Sequence, residues 1–222
     1  MKLGFSIGTV ALLLVSVYLS YQYILARDQE KVNFRSFFKP AYAKWPLLLC
    51  LATAVVSITV FAGYYILGTE TYLRSLMNCM VLVWLAVLSY VDLKEKIIPN
   101  HMILLGIGFW VLLSLLEIFL GGTHWKVILT FSLTGGLVCG GVLLVIALIG
   151  KSALGMGDVK MITVLGLLYG LMDTYSLLLL SMVVMAVVSV TLLLMKKVSK
   201  KTAIPMAPFV AIGFLLSIFA GL

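Results

Sequence analysis

The sequence predicts an all-α, polytopic membrane protein of about eight transmembrane helices, with both termini outside. Three observations carry that prediction. Of 222 residues, 63% are apolar or aromatic, only 11% are charged, and the mean hydropathy is +1.20. A soluble domain devotes about a quarter of its residues to charge, so this composition excludes a water-soluble globule. The apolar residues are also gathered into runs, and a hydrocarbon layer about 30 Å thick is crossed by about 20 helical residues. Finally, Lys and Arg concentrate in alternate breaks between the runs, as cytoplasmic loops do.

In chain order the predicted spans are 3–25, 46–67, 75–91, 101–120, 127–149, 159–172, 174–195 and 203–221. The first is too long for a secretory h-region, follows only Lys2, and has no small-residue cleavage site before Arg27, so it is expected to be retained. The break at 26–45 holds Arg27, Lys31, Arg35, Lys39 and Lys44 among Phe34, Phe37, Phe38, Tyr42 and Trp45, which reads as an interfacial segment against the inner headgroups. The breaks after spans 3, 5 and 7 hold Lys94 and Lys96, then Lys151 and Lys160, then Lys196, Lys197, Lys200 and Lys201. Thirteen basic residues thus fall on one side against three, Lys2, Arg74 and Lys126, on the other. That asymmetry puts the four basic loops in the cytoplasm. No internal repeat or low-complexity segment interrupts the pattern, and residues 1–222 read as one transmembrane helical domain.

The net charge of +8 therefore points to anionic membrane lipids as a partner rather than nucleic acid, for which no basic soluble surface exists. Cys50, Cys79 and Cys139 stand singly in apolar runs, without a CxxC pair, so neither a zinc site nor a disulfide framework is expected.

Carboxylates near hydrocarbon cost several kcal/mol and mark functional sites. Of the eight acids, Asp28, Glu30 and Glu70 sit in loops, Asp173 in the outer turn between spans 6 and 7, and Glu117 in the last turn of span 4, within reach of the outer interface. Asp92, Glu95 and Asp158 remain, all at the cytoplasmic rim. Asp92 closes span 3. If that helix continues, Glu95 and Lys96 share its face, and a structural Asp92–Lys96 pair is the alternative to a functional Asp92. Ile97-Ile98 then re-enters an apolar phase, Pro99 breaks the chain, and Asn100 is placed to N-cap span 4. Asp158 follows Gly155-Met156-Gly157, whose glycines offer backbone freedom and lack of bulk. Asp158 could simply cap span 6. That span is short, about 21 Å at 1.5 Å per residue, which favours function for an acid held below the headgroups.

Two aspartates at one rim make a pair. Carboxylates about 3 Å apart share one proton and titrate together. The ionised member can deprotonate a water while the protonated one donates to a peptide carbonyl. This chemistry needs no metal and no cofactor. The competing reading of the same acids is a proton or cation pathway.

Three segments resemble the prepilin peptidases, membrane aspartic proteases of the GxGD class. They are Asp92 with Ile98-Pro99-Asn100 at fixed spacing, Gly155-Met156-Gly157-Asp158-Val159-Lys160, and Ile204-Pro205-Met206-Ala207-Pro208-Phe209. The last departs from the family's Ile-Pro-Phe-Gly-Pro-Phe at two positions. The resemblance covers roughly 75–221, so residues 1–74 are accessory spans with a short basic loop and 75–222 the peptidase core. It implies catalysis by Asp92 and Asp158. Gly155 and Gly157 would allow close approach, Lys160 would bond Asp158 or an acid of the substrate, and Pro205 and Pro208 would shape the start of span 8. Lys96, Glu95, Pro99 and Asn100 complete the expected supporting set.

The resemblance also implies the partner, a prepilin-like membrane protein whose short basic leader precedes an apolar helix and is cut after a glycine at the inner boundary. Many bacterial members carry a cytoplasmic domain with two CxxC pairs, tied to N-methylation. Here the corresponding loop is about 20 residues without cysteine, so this is a short form in which neither zinc nor methyl transfer is expected. Small residues, Gly136 and Gly140 in span 5 and Gly166 and Gly170 in span 6, read as packing seams. Presenilin-type proteases place Tyr directly before the first Asp, whereas Val91 separates Tyr90 from Asp92 here. A proton-coupled transporter would hold its acids near the midplane, in repeated halves.

Overall fold

A computed structural model describes Tyr18 and residues 72–120, 124–150, 154–195 and 204–220. Predicted spans 1 and 2 and the basic loop at 26–45 lie outside the described residues, Tyr18 apart, as do the loop lysines Lys151, Lys196, Lys197, Lys200 and Lys201. The described helices are α1 (Tyr72–Glu95), α2 (Asn100–Leu120), α3 (Trp125–Ile149), α4 (Met156–Leu194) and α5 (Ala207–Ala220). The described residues contain no strand. The first four helices are long and apolar enough to cross a membrane, and α5 is a shorter apolar helix.

The chain forms two units, Met1–Val87 and Leu88–Leu222. In the first, the described part of α1 is buried on every side: Leu76 through Leu85 runs without an exposed residue. Hydrophobicity all round a helix is the pattern of a buried helix.

The second unit takes up the last residues of α1. Here α1 continues past the predicted end at 91 as far as Glu95, leaving Asp92 one turn inside the helix. Lys96 ends it in the left-handed conformation (φ 55), its N–H donating to the Asp92 carbonyl at 2.8 Å. Residues 97–99 belong to no regular element, and α2 begins at once.

Helices α2 to α4 turn large apolar side chains outward, among them Leu104, Phe119, Leu137, Val145 and Val187. In water such faces would be untenable; against lipid tails they are at home. The protein is a membrane protein.

A 39-residue α4 would be about twice the length of a bilayer crossing. It is instead broken at Gly170 (φ 71, ψ −169). The Thr174 hydroxyl donates to the Leu165 carbonyl at 3.2 Å, although nine residues of continuous helix would set these positions about 13 Å apart. The chain therefore reverses here, giving a first limb of 14 residues, Met156–Tyr169, and a second from Leu171 to Leu194. This agrees with two spans in this stretch but moves the reversal from the expected turn at Asp173 to Gly170. Asp173 lies in the first turn of the second limb, where a carboxylate favours the helix dipole.

Glycine accounts for the closest packing. A methyl added to Gly166 would stand 2.6 Å from the Gly135 carbonyl oxygen, and one on Gly136 would meet the Leu167 side chain at 2.7 Å. Gly140 seats the Thr163 side chain, and Gly170 lies under the Phe131 ring. The expected seam of small residues is thus a packing seam between α3 and the first limb of α4, with Gly135 as an additional member. Helix α5 leans on α4 through an edge-on Tyr169–Phe214 contact with centroids 5.5 Å apart, and through Gly213 against Ser181.

Span 8 starts later than expected, at Ala207. Pro208 explains this: without an N–H, proline fits only the first turn of a helix. Ile204 and Pro205 stay outside it.

Candidate active site

Four segment ends of the second unit meet: the end of α1, the start of α2, the start of α4 and the start of α5. Their meeting point is built from motif residues.

Asp92 is 5% exposed. Its carboxylate accepts the Ala207 N–H at 3.0 Å and also the Met206 N–H. Met206 is the N-cap of α5, its carbonyl accepting from Phe209 and Val210 at 3.0 and 3.2 Å. The first N–H groups of a helix have no partner within it, and Pro205 and Pro208 have no N–H at all. The two donors between those prolines both go to Asp92, which caps α5 from another part of the chain. The expected alternative, an Asp92–Lys96 pair on one helical face, does not form that face. Lys96 has left the helix, because the backbone turns left-handed there.

Asp158 does not cap α4. Gly155 is the N-cap, its carbonyl accepting from Asp158 and Val159 at 3.0 and 3.2 Å. Asp158 is the third helical residue, and its carboxylate reaches back to accept the Gly155 N–H. This is the reciprocal half of a capping box. It sits close enough to Asp92 for the two charges to interact.

The two glycines act through absence of bulk rather than backbone freedom. Gly155 has ordinary extended angles (φ −69, ψ 137), and Gly170 alone among the described glycines has positive φ. A methyl on Gly155 would stand 2.9 Å from the Asp158 Oδ2. One on Gly157 would stand 2.8 Å from the Ile98 Cβ. Ile98, buried in the hairpin after α1, therefore docks directly on the Asp158 turn.

Asn100 is the first helical residue of α2 rather than its N-cap. The Pro99 carbonyl takes that place, accepting from Met102 and Ile103 at 3.1 and 3.4 Å. The Asn100 Oδ1 instead accepts from the Lys160 Nζ at 2.8 Å. Lys160 was expected to bond Asp158 or a substrate acid; the bond it makes is to Asn100. Glu95 and Lys96 lie exposed at the end of α1.

Sequence reasoning did not single out two participants, the backbone N–H groups of Met206 and Ala207 and the side chain of Ile98. The bracketing prolines were the available signal for the first. For Ile98, its membership of the Ile98-Pro99-Asn100 motif and of the apolar Ile97-Ile98 step was the signal at hand. Among the described residues, no group of three His, Cys, Asp or Glu comes together as a metal site.

The model of the type IV leader peptidase family matches residues 79–190, just over half of the chain. The chain belongs to that family. The match takes in Asp92, the α2 start and the Asp158 turn, while the Met206–Ala207 cap lies beyond it. Comparisons with curated proteins and with solved structures gave no match. As a leader peptidase family member, the protein is a peptidase embedded in a membrane.

Proposed function

We propose that this leader peptidase is an aspartic endopeptidase of a prokaryotic cell membrane, cutting the short basic leader from prepilin-like membrane proteins at the cytoplasmic boundary. The supporting observation is the convergence of Asp92 and Asp158, from distant stretches of chain, at one end of the second unit within range of each other's charge. Asp92 is fixed by α5 and Asp158 by its own helix start, so both carboxyls are held before substrate arrives. Such preorganisation is what a water-activating pair requires.

In this mechanism one carboxylate takes a proton from a water as the water oxygen bonds to the scissile carbonyl carbon. The other carboxyl gives its proton to the carbonyl oxygen. Collapse of the resulting gem-diol breaks the C–N bond, and a proton passes to the leaving nitrogen. The pair ends with one proton, as it began. The scissile amide must leave its helix first, because helical amides are hydrogen-bonded and crowded. Metal, cofactor and methyl transfer have no part in this scheme.

The test uses purified protein in detergent or liposomes with a prepilin-like peptide, product being followed by mass. Asp92→Asn and Asp158→Asn each abolish cleavage. The wild-type rate follows a bell-shaped pH profile with two macroscopic ionisations. Near-normal cleavage by either variant refutes the assignment, and a single ionisation refutes the shared proton.

A further inference from the structure

We infer that Asn100 and Lys160 form a positioning pair, a side-chain latch that sets the spacing of Asp92 and Asp158; this rests on the aspartic reading above. The latch is a single hydrogen bond, Lys160 Nζ to Asn100 Oδ1 at 2.8 Å, joining residues sixty positions apart. Each partner is rigidly connected to one of the acids. Lys160 lies two residues beyond Asp158 in the first turns of α4, and a long helical side chain leans back toward the helix start. Asn100 follows the hairpin that leaves Asp92, where the Lys96 N–H closes on the Asp92 carbonyl at 2.8 Å and Pro99 stiffens the return.

Beneath the latch, Ile98 rests on Gly157. That contact fixes how closely the two segments approach, but an apolar contact is non-directional and leaves them able to slide. A directional bond outside it fixes the remaining register. Asn100 has no capping duty that would explain its side chain, since the Pro99 carbonyl begins α2. Both latch residues are exposed, and a solvent-exposed hydrogen bond adds little to folding stability. Its effect falls on geometry at the acids, where a misplacement of about 1 Å costs about a hundredfold in rate.

The experiment is a double-mutant cycle on cleavage of the prepilin-like peptide with Asn100→Ala, Lys160→Met and their combination. Each single change lowers kcat by about tenfold or more while KM stays within about twofold. The combined variant is no slower than the singles, because the same interaction is lost once. Asn100→Asp, which keeps the acceptor, restores most of the rate. Additive losses overturn the proposal. So does a pattern in which Lys160→Met raises KM alone and Asn100→Ala changes nothing, which would assign Lys160 to the substrate.

A readout independent of activity is acylation of Lys160 by an amine-directed reagent, followed by mass in the folded protein. It runs several-fold faster in Asn100→Ala than in wild type, and equal rates overturn the latch. If the wild type cleaves no peptide while Lys160 still responds to Asn100→Ala, the peptidase mechanism fails and the contact itself stands.

Discussion

Replacing Asp92 separates its two duties. In the proposed mechanism it must ionise as half of the pair; as the cap of α5 it needs only an acceptor oxygen. Asp92→Asn loses the first and keeps much of the second, since an amide oxygen can still accept the Ala207 N–H now at 3.0 Å. Asp92→Ala loses both, leaving the Met206 and Ala207 N–H groups without the oxygen that holds them, in a pocket where Asp92 is only 5% exposed. A lost N-cap costs about 0.5–2 kcal/mol and a stranded buried donor about 1–3 kcal/mol. Relief of carboxylate burial offsets part of this. The net expectation is that Asp92→Ala is less stable than Asp92→Asn by about 2 kcal/mol. The assay is thermal unfolding in detergent followed with a thiol-reactive dye in a Cys50→Ser background, because Cys79 and Cys139 are buried in the folded protein and react only when it opens. Both variants are inactive against peptide, so stability alone distinguishes them. Equal midpoints, or an alanine variant as stable as wild type, would refute the capping role.

Gly157→Ala drives a methyl to 2.8 Å from the Ile98 Cβ; kcat in the peptide assay falls at least tenfold, and shortening Ile98 to Ala in the same chain recovers part of it. Gly170→Ala combines strain at φ 71 with a clash against the Phe131 ring, lowering stability by about 2–4 kcal/mol, read as a lower midpoint in the same thermal assay. Adding Phe131→Ala relieves the clash but not the backbone strain, so the double variant recovers only partly.

The positions of α2 and α3 were legible to within two residues, because a run of apolar residues between polar breaks leaves little choice once the solvent is lipid. That the two acids would lie within range of each other's charge was legible too, since a carboxylate beside hydrocarbon has few bland explanations. The local chemistry at helix starts was harder to read. Asn100 and Asp158 are residue types that favour N-cap positions, so propensity placed Asn100 there and offered the same place to Asp158 as the alternative to function. The actual caps, Pro99 and Gly155, were set by the backbone path of the hairpin and the turn, which the surrounding packing decides. The reversal at Gly170 was misplaced by three residues for a similar reason. Asp173 is polar and looks like a turn, but only glycine tolerates the backbone angles and the overlying Phe131 ring. Asp92 capping α5 joins residues more than a hundred positions apart, and no local pattern encodes that pairing.

The first limb of α4, which starts at the Asp158 turn and is cut off by Gly170, has only 14 residues. At about 21 Å it falls short of a 30 Å hydrocarbon slab by about 9 Å, the depth of three water layers. A column that stubby obliges its surroundings to adjust: lipid thins beside it, or headgroups and solvent are drawn inward. A polar side chain carried on its opening turn is thereby spared full immersion in grease.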